Sequence, residues 1–151
     1  MIELTARRLH VRWMIKRDME ECLAADQDGL PPWTEEDFLQ ALRERNTIGQ
    51  VCERGDKVLG FVVYELHKRR LEVLRLGVLP GYRRQGVATA LVRKLLSKLS
   101  EHRRDRVLLD CPERALGAQL FLRTQGFKAR FLRRGRGDED GTIRFEWRLP
   151  R

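Results

Sequence analysis

The stretch RRQGVA, Arg83 to Ala88, stands just before a run of leucines whose four-residue spacing predicts a helix over about 84–101. No Ser, Thr, Asp or Asn is placed to cap that helix, so its first backbone N–H groups need another acceptor. A helix N-terminus carries roughly half a positive charge, and free amides with that dipole form an anion site. Gly86 has no side chain to keep an anion off the backbone. Arg83 and Arg84 add positive charge beside it. A phosphate or pyrophosphate answers all of these features together. The plainer alternative is a solvated loop whose amides bond water. Neither a P-loop, GxxxxGK(S/T), nor a GxGxxG dinucleotide fingerprint is present.

Other reactive side chains are scattered. Cys22, Cys52 and Cys111 are far apart and odd in number, which gives neither a disulfide framework nor a metal spacing. A reducing, cytoplasmic setting is the simplest expectation. His10, His67 and His102 lack ligand spacing, so no metal is expected. The net charge of +9 favours anionic partners of several kinds. Basic runs at 67–70, 101–106 and 130–136 suit ribosome or acidic-partner association through the surface. They lack interleaved aromatics, so base stacking is not indicated. The N-terminus has no apolar signal region, and no apolar run approaches the ~20 residues of a membrane helix, so no membrane partner is expected.

The elements that would hold the loop follow from periodicity. A short strand is predicted at Val11–Ile15, then a helix capped by Asp18, a break at Pro31–Pro32 and a helix capped by Thr34. IGQVCE and KVLGFVVYEL read as strands joined at RGD. Leu71–Leu79 is nearly all apolar, as in a strand covered on both faces, and Pro80–Gly81 end it. After the 84–101 helix come a buried strand, RVLLDC, and an amphipathic helix, RALGAQLFLRTQ, which Gly126 would stop. FKARFLRR and TIRFEWRL are strands around a polar loop, GRGDEDG. The mixed order predicts an α/β (or α+β) class with one sheet and one domain over 1–151.

LGVLPGYRRQGVATALV resembles motif A of the GNAT family of acetyl-CoA-dependent N-acetyltransferases. Within it, RRQGVA matches the family's Q/R-x-x-G-x-G/A cofactor loop, and FLRTQGF matches the end of motif B. PWTEEDF, Pro32 to Phe38, resembles the PWSExxF segment of RimI-type ribosomal-protein N-terminal acetyltransferases. The resemblance implies a mostly antiparallel mixed sheet of about seven strands, with helices on both faces. Its central parallel pair, Leu71–Leu79 and Arg106–Cys111, would splay apart to hold acetyl-CoA. The pantetheine arm would run along Leu76, Gly77 and Val78. The pyrophosphate would rest on Arg84, Gln85, Gly86, Val87, Ala88 and Thr89, with Arg83 adjacent. The implied reaction moves acetyl to a primary amine, in the RimI type the α-amine of a protein or peptide N-terminus.

In the RimI type a glutamate is the proposed base, and Asp110 occupies its position here. Desolvation within an apolar strand would favour its protonated form. Helix capping or pairing with an arginine are its structural alternatives. Glu72 is a second candidate base, expected on alternation to share a face with Leu74 and Leu76, and read first as an exposed residue near the strand's start. Three positions depart from the family pattern. Its asparagine falls on Ala115, its tyrosine on Leu122, and its late aromatic pair near Arg134–Arg136. These departures keep a second expectation open: an impaired GNAT-fold protein that binds acetyl-CoA or associates with ribosomes or nucleic acid.

Overall fold

A computed structural model describes residues 8–29, 31–137 and 141–150; part of the polar GRGDEDG loop, residues 138–140, lies outside them. Strands β1 (Leu9–Trp13), β2 (Thr47–Arg54), β3 (Lys57–Leu66), β4 (Arg70–Val78), β5 (Arg106–Pro112), β6 (Lys128–Arg133) and β7 (Thr142–Arg148) form one sheet. Their order is β1-β2-β3-β4-β5-β7-β6. Only β4 and β5 run parallel; every other neighbouring pair is antiparallel. The predicted hairpin joins β2 to β3, with Gly55 at φ +62° in its turn. The α/β expectation, with about seven strands in one mixed sheet, matches this architecture.

Helices α1 (Met19–Ala25), α2 (Glu35–Leu42), α3 (Val87–Leu96) and α4 (Leu116–Thr124) cover both faces. On one face, Val87, Leu91, Val92 and Leu95 of α3 and Leu122 of α4 pack on Val62, Leu71, Val73, Val107 and Phe145. On the other, Met19, Cys22 and Ala25 of α1 and Phe38 of α2 pack on Val51, Phe61 and Val63. This second cluster contains no residue of β5, β6 or β7, so the sheet's far half is less covered there. Thr34 caps α2 as expected: its hydroxyl accepts from Asp37 N at 3.2 Å and Asp37 Oδ2 accepts from Thr34 N at 2.9 Å. Asp18 does not cap α1. Its buried carboxylate instead receives Arg12 at 2.8 and 2.9 Å and the Ile15 amide at 2.8 Å. Gly126, at φ +94°, follows α4 as the predicted stop. Helix α3 starts at Val87, later than predicted, because Arg84 and Gly86 adopt positive φ, +62° and +86°, and hold the loop open.

The sheet opens at its centre. β4 pairs with β5 only from Arg70↔Arg106 to Val73↔Leu109. On its other side β4 carries one extra residue: Val63 faces Arg75 but Tyr64 faces Val73, leaving Leu74 as a bulge. A bulge bends its strand and disrupts the ladder locally, and the parallel pairing stops at that point. The extra residue also resets alternation. Leu71, Val73, Leu76 and Val78 belong to the α3 face, whereas Leu74 packs with α1 and α2. Glu72 and Leu74 therefore do not share a face with Leu76, contrary to the simple alternation expected from sequence.

The closed end of the parallel pair is pinned by Asp105, which is buried just before β5. Its carboxylate receives Arg106 Nε at 2.8 Å and Arg69 Nη2 at 3.3 Å, and its amide bonds the Arg69 carbonyl at 3.2 Å. The hydrogen bond from Arg106, chiefly, holds this carboxyl below its usual range. A carboxyl depressed in the folded state stabilises above its unfolded value, about 3.9, and that contribution disappears as pH falls through the folded value. Urea midpoints measured through that acid window should fall less steeply for Asp105→Asn than for the parent. At the open end, α1 lies directly on Gly77, where a Cβ would stand 2.6 Å from the Ala25 carbonyl oxygen and 2.7 Å from Phe61 Cε1. Gly77→Ala is expected to lose about 1–3 kcal/mol through this overpacking, read from urea unfolding.

Candidate active site

Between the diverging strands lies a cleft of about 580 Å³. Leu76, Gly77 and Val78 line it from β4 and Leu109, Asp110 and Cys111 from β5. Beyond the last parallel pair, neither strand edge has the other to bond. The chain thus presents peptide groups to the cleft in the manner of an unfinished sheet, the arrangement that an amide-bearing pantetheine arm fits.

One end of the cleft is the α3 N-terminus. Gly86 is its N-cap, and no side chain caps the helix. The residues Arg83, Arg84, Gly86, Val87, Ala88 and Thr89 line the cleft. Gln85 does not: its side chain accepts from Arg54 Nη1 at 3.0 Å and donates to the Gly81 carbonyl at 3.3 Å, bracing the loop from outside. Arg83 is already engaged, its Nη2 donating to Asp28 Oδ2 at 2.6 Å across to the α1–α2 connection. The uncapped amides and Arg84 line the cleft with no such pairing. A Cβ built on Gly86 meets only Leu9 Cδ1, at 3.8 Å, so the site is open to a ligand and the glycine is required by φ rather than by crowding.

Of the two candidate bases, Asp110 lines the cleft and Glu72 does not, and Arg144 joins the two from beside it. Arg144 of β7 binds Glu72 with both terminal nitrogens, at 2.6 and 2.6 Å, and donates a 3.1 Å bond to Asp110 Oδ1. Arg70 Nε adds a 3.3 Å bond to Glu72. Glu72 is only 13% exposed, not the exposed residue expected near a strand's start. Asp110 is 41% exposed, so the burial expected to favour its protonated form is lacking; its pairing with an arginine, the structural alternative, is what forms. The hydrogen bond that Arg144 donates to Glu72, chiefly, raises it above its ordinary value, so it stays a cation at any working pH. Sequence reasoning missed Arg144. Its partner Glu72 lies 72 residues earlier, and only the β5–β7 register, Asp110↔Arg144, brings the group together.

The same register places Phe131 of β6 opposite Arg144, after a bulge between Ala129 and Phe131. Directly opposed residues share a face. Phe131, 56% exposed, thus supplies an aromatic in line with Asp110 in a chain that departs from the family's late aromatic pair near Arg134–Arg136. On the opposite flank Asp26 binds Arg75 at 2.7–2.8 Å and the Trp33 amide at 2.7 Å, fixing the α1–α2 connection to the bulged strand. Ala115 and Leu122 line the cleft where the family pattern has asparagine and tyrosine, and neither side chain donates a proton. Tyr64, fully buried, has its hydroxyl pushed up to about 12 by burial; Tyr82 lines the cleft near its anion end. Burial also raises the Cys111 thiol, which suits a core residue rather than a nucleophile. Among the described residues no group of three or more His, Cys, Asp or Glu is placed to hold a metal, and no helix is long and apolar enough to cross a membrane.

A family model described as Acetyltransferase (GNAT) family matches residues 11–127. The chain belongs to the GNAT family. This GNAT chain is 34% identical over 93 residues to human N-acetyltransferase 8, a match covering 58% of this chain and 41% of that protein. It therefore spans less than half the length of that relative. In fold it is similar to the ribosomal-protein-S18-alanine N-acetyltransferase of Escherichia coli (TM-score 0.82, 17% identity, 95% of this chain and 96% of the other). It is likewise similar to Arabidopsis thaliana NAA60 in complex with acetyl-CoA (TM-score 0.79, 16% identity, 94% and 100%). The GNAT loop at Gly86 gives a direct test. Gly86→Ala forces a non-glycine residue to φ +86° and should weaken coenzyme A binding roughly tenfold, since ~1.4 kcal/mol of αL strain or loop shift is a factor of ten. Isothermal titration with coenzyme A measures it, with Arg93→Ala on the exposed side of α3 as the unchanged control.

Proposed function

We propose that the protein is an acetyltransferase that uses acetyl-CoA and acts on a primary amine, the α-amine of a protein or peptide N-terminus. One observation carries this reading: a single cleft is lined both by uncapped helix amides and by a carboxylate, Asp110, with one oxygen that no donor among the described residues bonds. Membership in the GNAT family supports the reaction type, and the N-terminal acceptor rests on the PWTEEDF segment and the fold likeness to the S18-alanine acetyltransferase.

The amides of Val87, Ala88 and Thr89 and the Arg84 guanidinium would hold the diphosphate, while Leu76, Gly77 and Val78 would take the arm against the open edge of β4. Bound there, acetyl-CoA supplies an acyl thioester whose thiol, with a pKa of about 8.5, needs little help to leave. An amine arriving as an ammonium must first lose a proton. Asp110 is the group placed to take it, at the cleft's end, on the sheet face left open beyond α1 and α2. The open oxygen of Asp110 can accept from an ammonium N–H, which an anionic acceptor does not offer. With Ala115 and Leu122 in place of polar groups, proton handling falls to Asp110 and solvent. The proton returns to bulk water through the exposed side of that carboxyl.

Coenzyme A release assayed with short peptides tests the reading. Peptides with a free α-amine should turn over, and the same peptides N-acetylated should not. Turnover confined to peptides with a blocked N-terminus and an internal lysine would overturn the N-terminal assignment. Asp110→Asn should lower kcat by about 10²–10⁴, the usual contribution of a positioned base, with the KM for acetyl-CoA little changed.

A further inference from the structure

The two carboxylates beside the cleft do not have equivalent surroundings. Glu72 receives both terminal nitrogens of Arg144, at 2.6 Å each, and a third bond from Arg70. It is a spent acceptor: mostly buried, charge-neutralised and with both oxygens occupied. Asp110 receives one longer bond, 3.1 Å, on Oδ1 alone. Among the described residues no donor bonds its Oδ2, and its side chain is the more exposed of the two. Both carboxylates project toward one guanidinium, which bonds each of them and offsets their mutual repulsion.

We propose that Arg144 is the positioning residue of this site: it saturates Glu72 and fixes Asp110 by one oxygen, so that Asp110 Oδ2 alone receives the acceptor's proton. The inference rests on the acetyltransferase reading given above. The ammonium N–H bond breaks, the proton joins Oδ2 and the lone pair stays on nitrogen. Asp110 becomes neutral and later returns the proton to water. Arg144 touches neither amine nor thioester in this account and acts through the two carboxylates. A guanidinium suits the task because its planar fork bonds one carboxylate with two nitrogens and still reaches a second from the same side chain. The other charged groups facing the trio are Arg70 on β4 and Glu146 on β7, the latter in turn near Arg130 and Arg148. Asp26 and Arg75 on the opposite flank are satisfied by each other.

Two measurements on the full chain test this. The first needs no turnover: ¹³C titration of the Asp110 and Glu72 carboxyl signals in the parent, Arg144→Met and Arg144→Lys. Both curves should move to higher pH in the Met variant and return most of the way in the Lys variant. Curves unmoved in Arg144→Met overturn the proposal. The second is kinetic. Arg144→Met should lower kcat for peptide acetylation about tenfold or more, leave the KM for acetyl-CoA within roughly twofold, and cost nothing further in an Asp110→Asn background, as expected of groups that act as a unit. An equal loss in both backgrounds shows that Arg144 does not act through Asp110 and also overturns it. If Arg144→Met does not fold, as judged by circular dichroism, Arg144→Gln replaces it, since it keeps amide donors without the charge. A parent protein that never releases coenzyme A sinks the acetyltransferase reading instead, while the carboxyl titrations still decide whether Arg144 governs both groups.

Discussion

Leu74 is one residue more than the ladder between β3 and β4 can accommodate, and the sheet divides where it sits. Before it, β4 is in step with both neighbours. After it, β4 stays with β3 and leaves β5, which remains with β7 through Pro112. The reset of alternation has a second effect, because it sends Arg75 toward the end of α1. There Asp26 clamps it, and the same carboxylate takes the Trp33 amide. The bulge therefore opens the cleft and also fixes one bank of the groove beside it. Burying this ion pair is tolerable only because its geometry is bidentate and the remaining lone pairs are bonded.

Charge in the cleft is arranged by backbone as much as by side chains. At one end, peptide N–H groups and the α3 dipole concentrate positive potential, and one of the two loop arginines is paired with Asp28, which lines the cleft beside it. Beside Asp110, two arginines, Arg144 and Arg70, balance the two carboxylates, Glu72 and Asp110. A diphosphate would meet the positive field at one extremity, and an ammonium acceptor would meet the open carboxylate oxygen of Asp110 at the other. The +9 of the whole chain contributes to approach rather than to this local order.

Much of this was legible in the chain. Continuous apolar runs marked β3, β4 and β5, since a strand covered on both faces shows no alternation. Thr34 with Asp37, and Gly126, marked helix ends because capping chemistry is local. The uncapped start of α3 was legible for the same reason. What escaped was set by partners distant in sequence. Nothing in LEVLRLGV marks Leu74 as a bulge, for it carries no glycine or proline at that point. Glu72 looked exposed because its burial depends on Arg144, from a strand that sits beside β5 only through the β5-β7-β6 order. Asp110 was located correctly as a residue at the cleft, but its solvent exposure depends on how little of that face the helices cover. Phe131 reaches the same face through a second bulge, again invisible to periodicity.

An open strand edge ordinarily invites other chains to join it. This protein has two kinds. Of its two outer margins, β1 and β6, the second is fully exposed but carries Lys128, Arg130 and Arg133 and is broken by a bulge, so a stacking neighbour there meets like charge and an uneven rung. Its inner margins face one another across a narrow slot. The peptide groups there line the cleft inside the sheet rather than its rim. The molecule thus keeps unsatisfied peptide groups ready for a small ligand without offering them as a seed for aggregation.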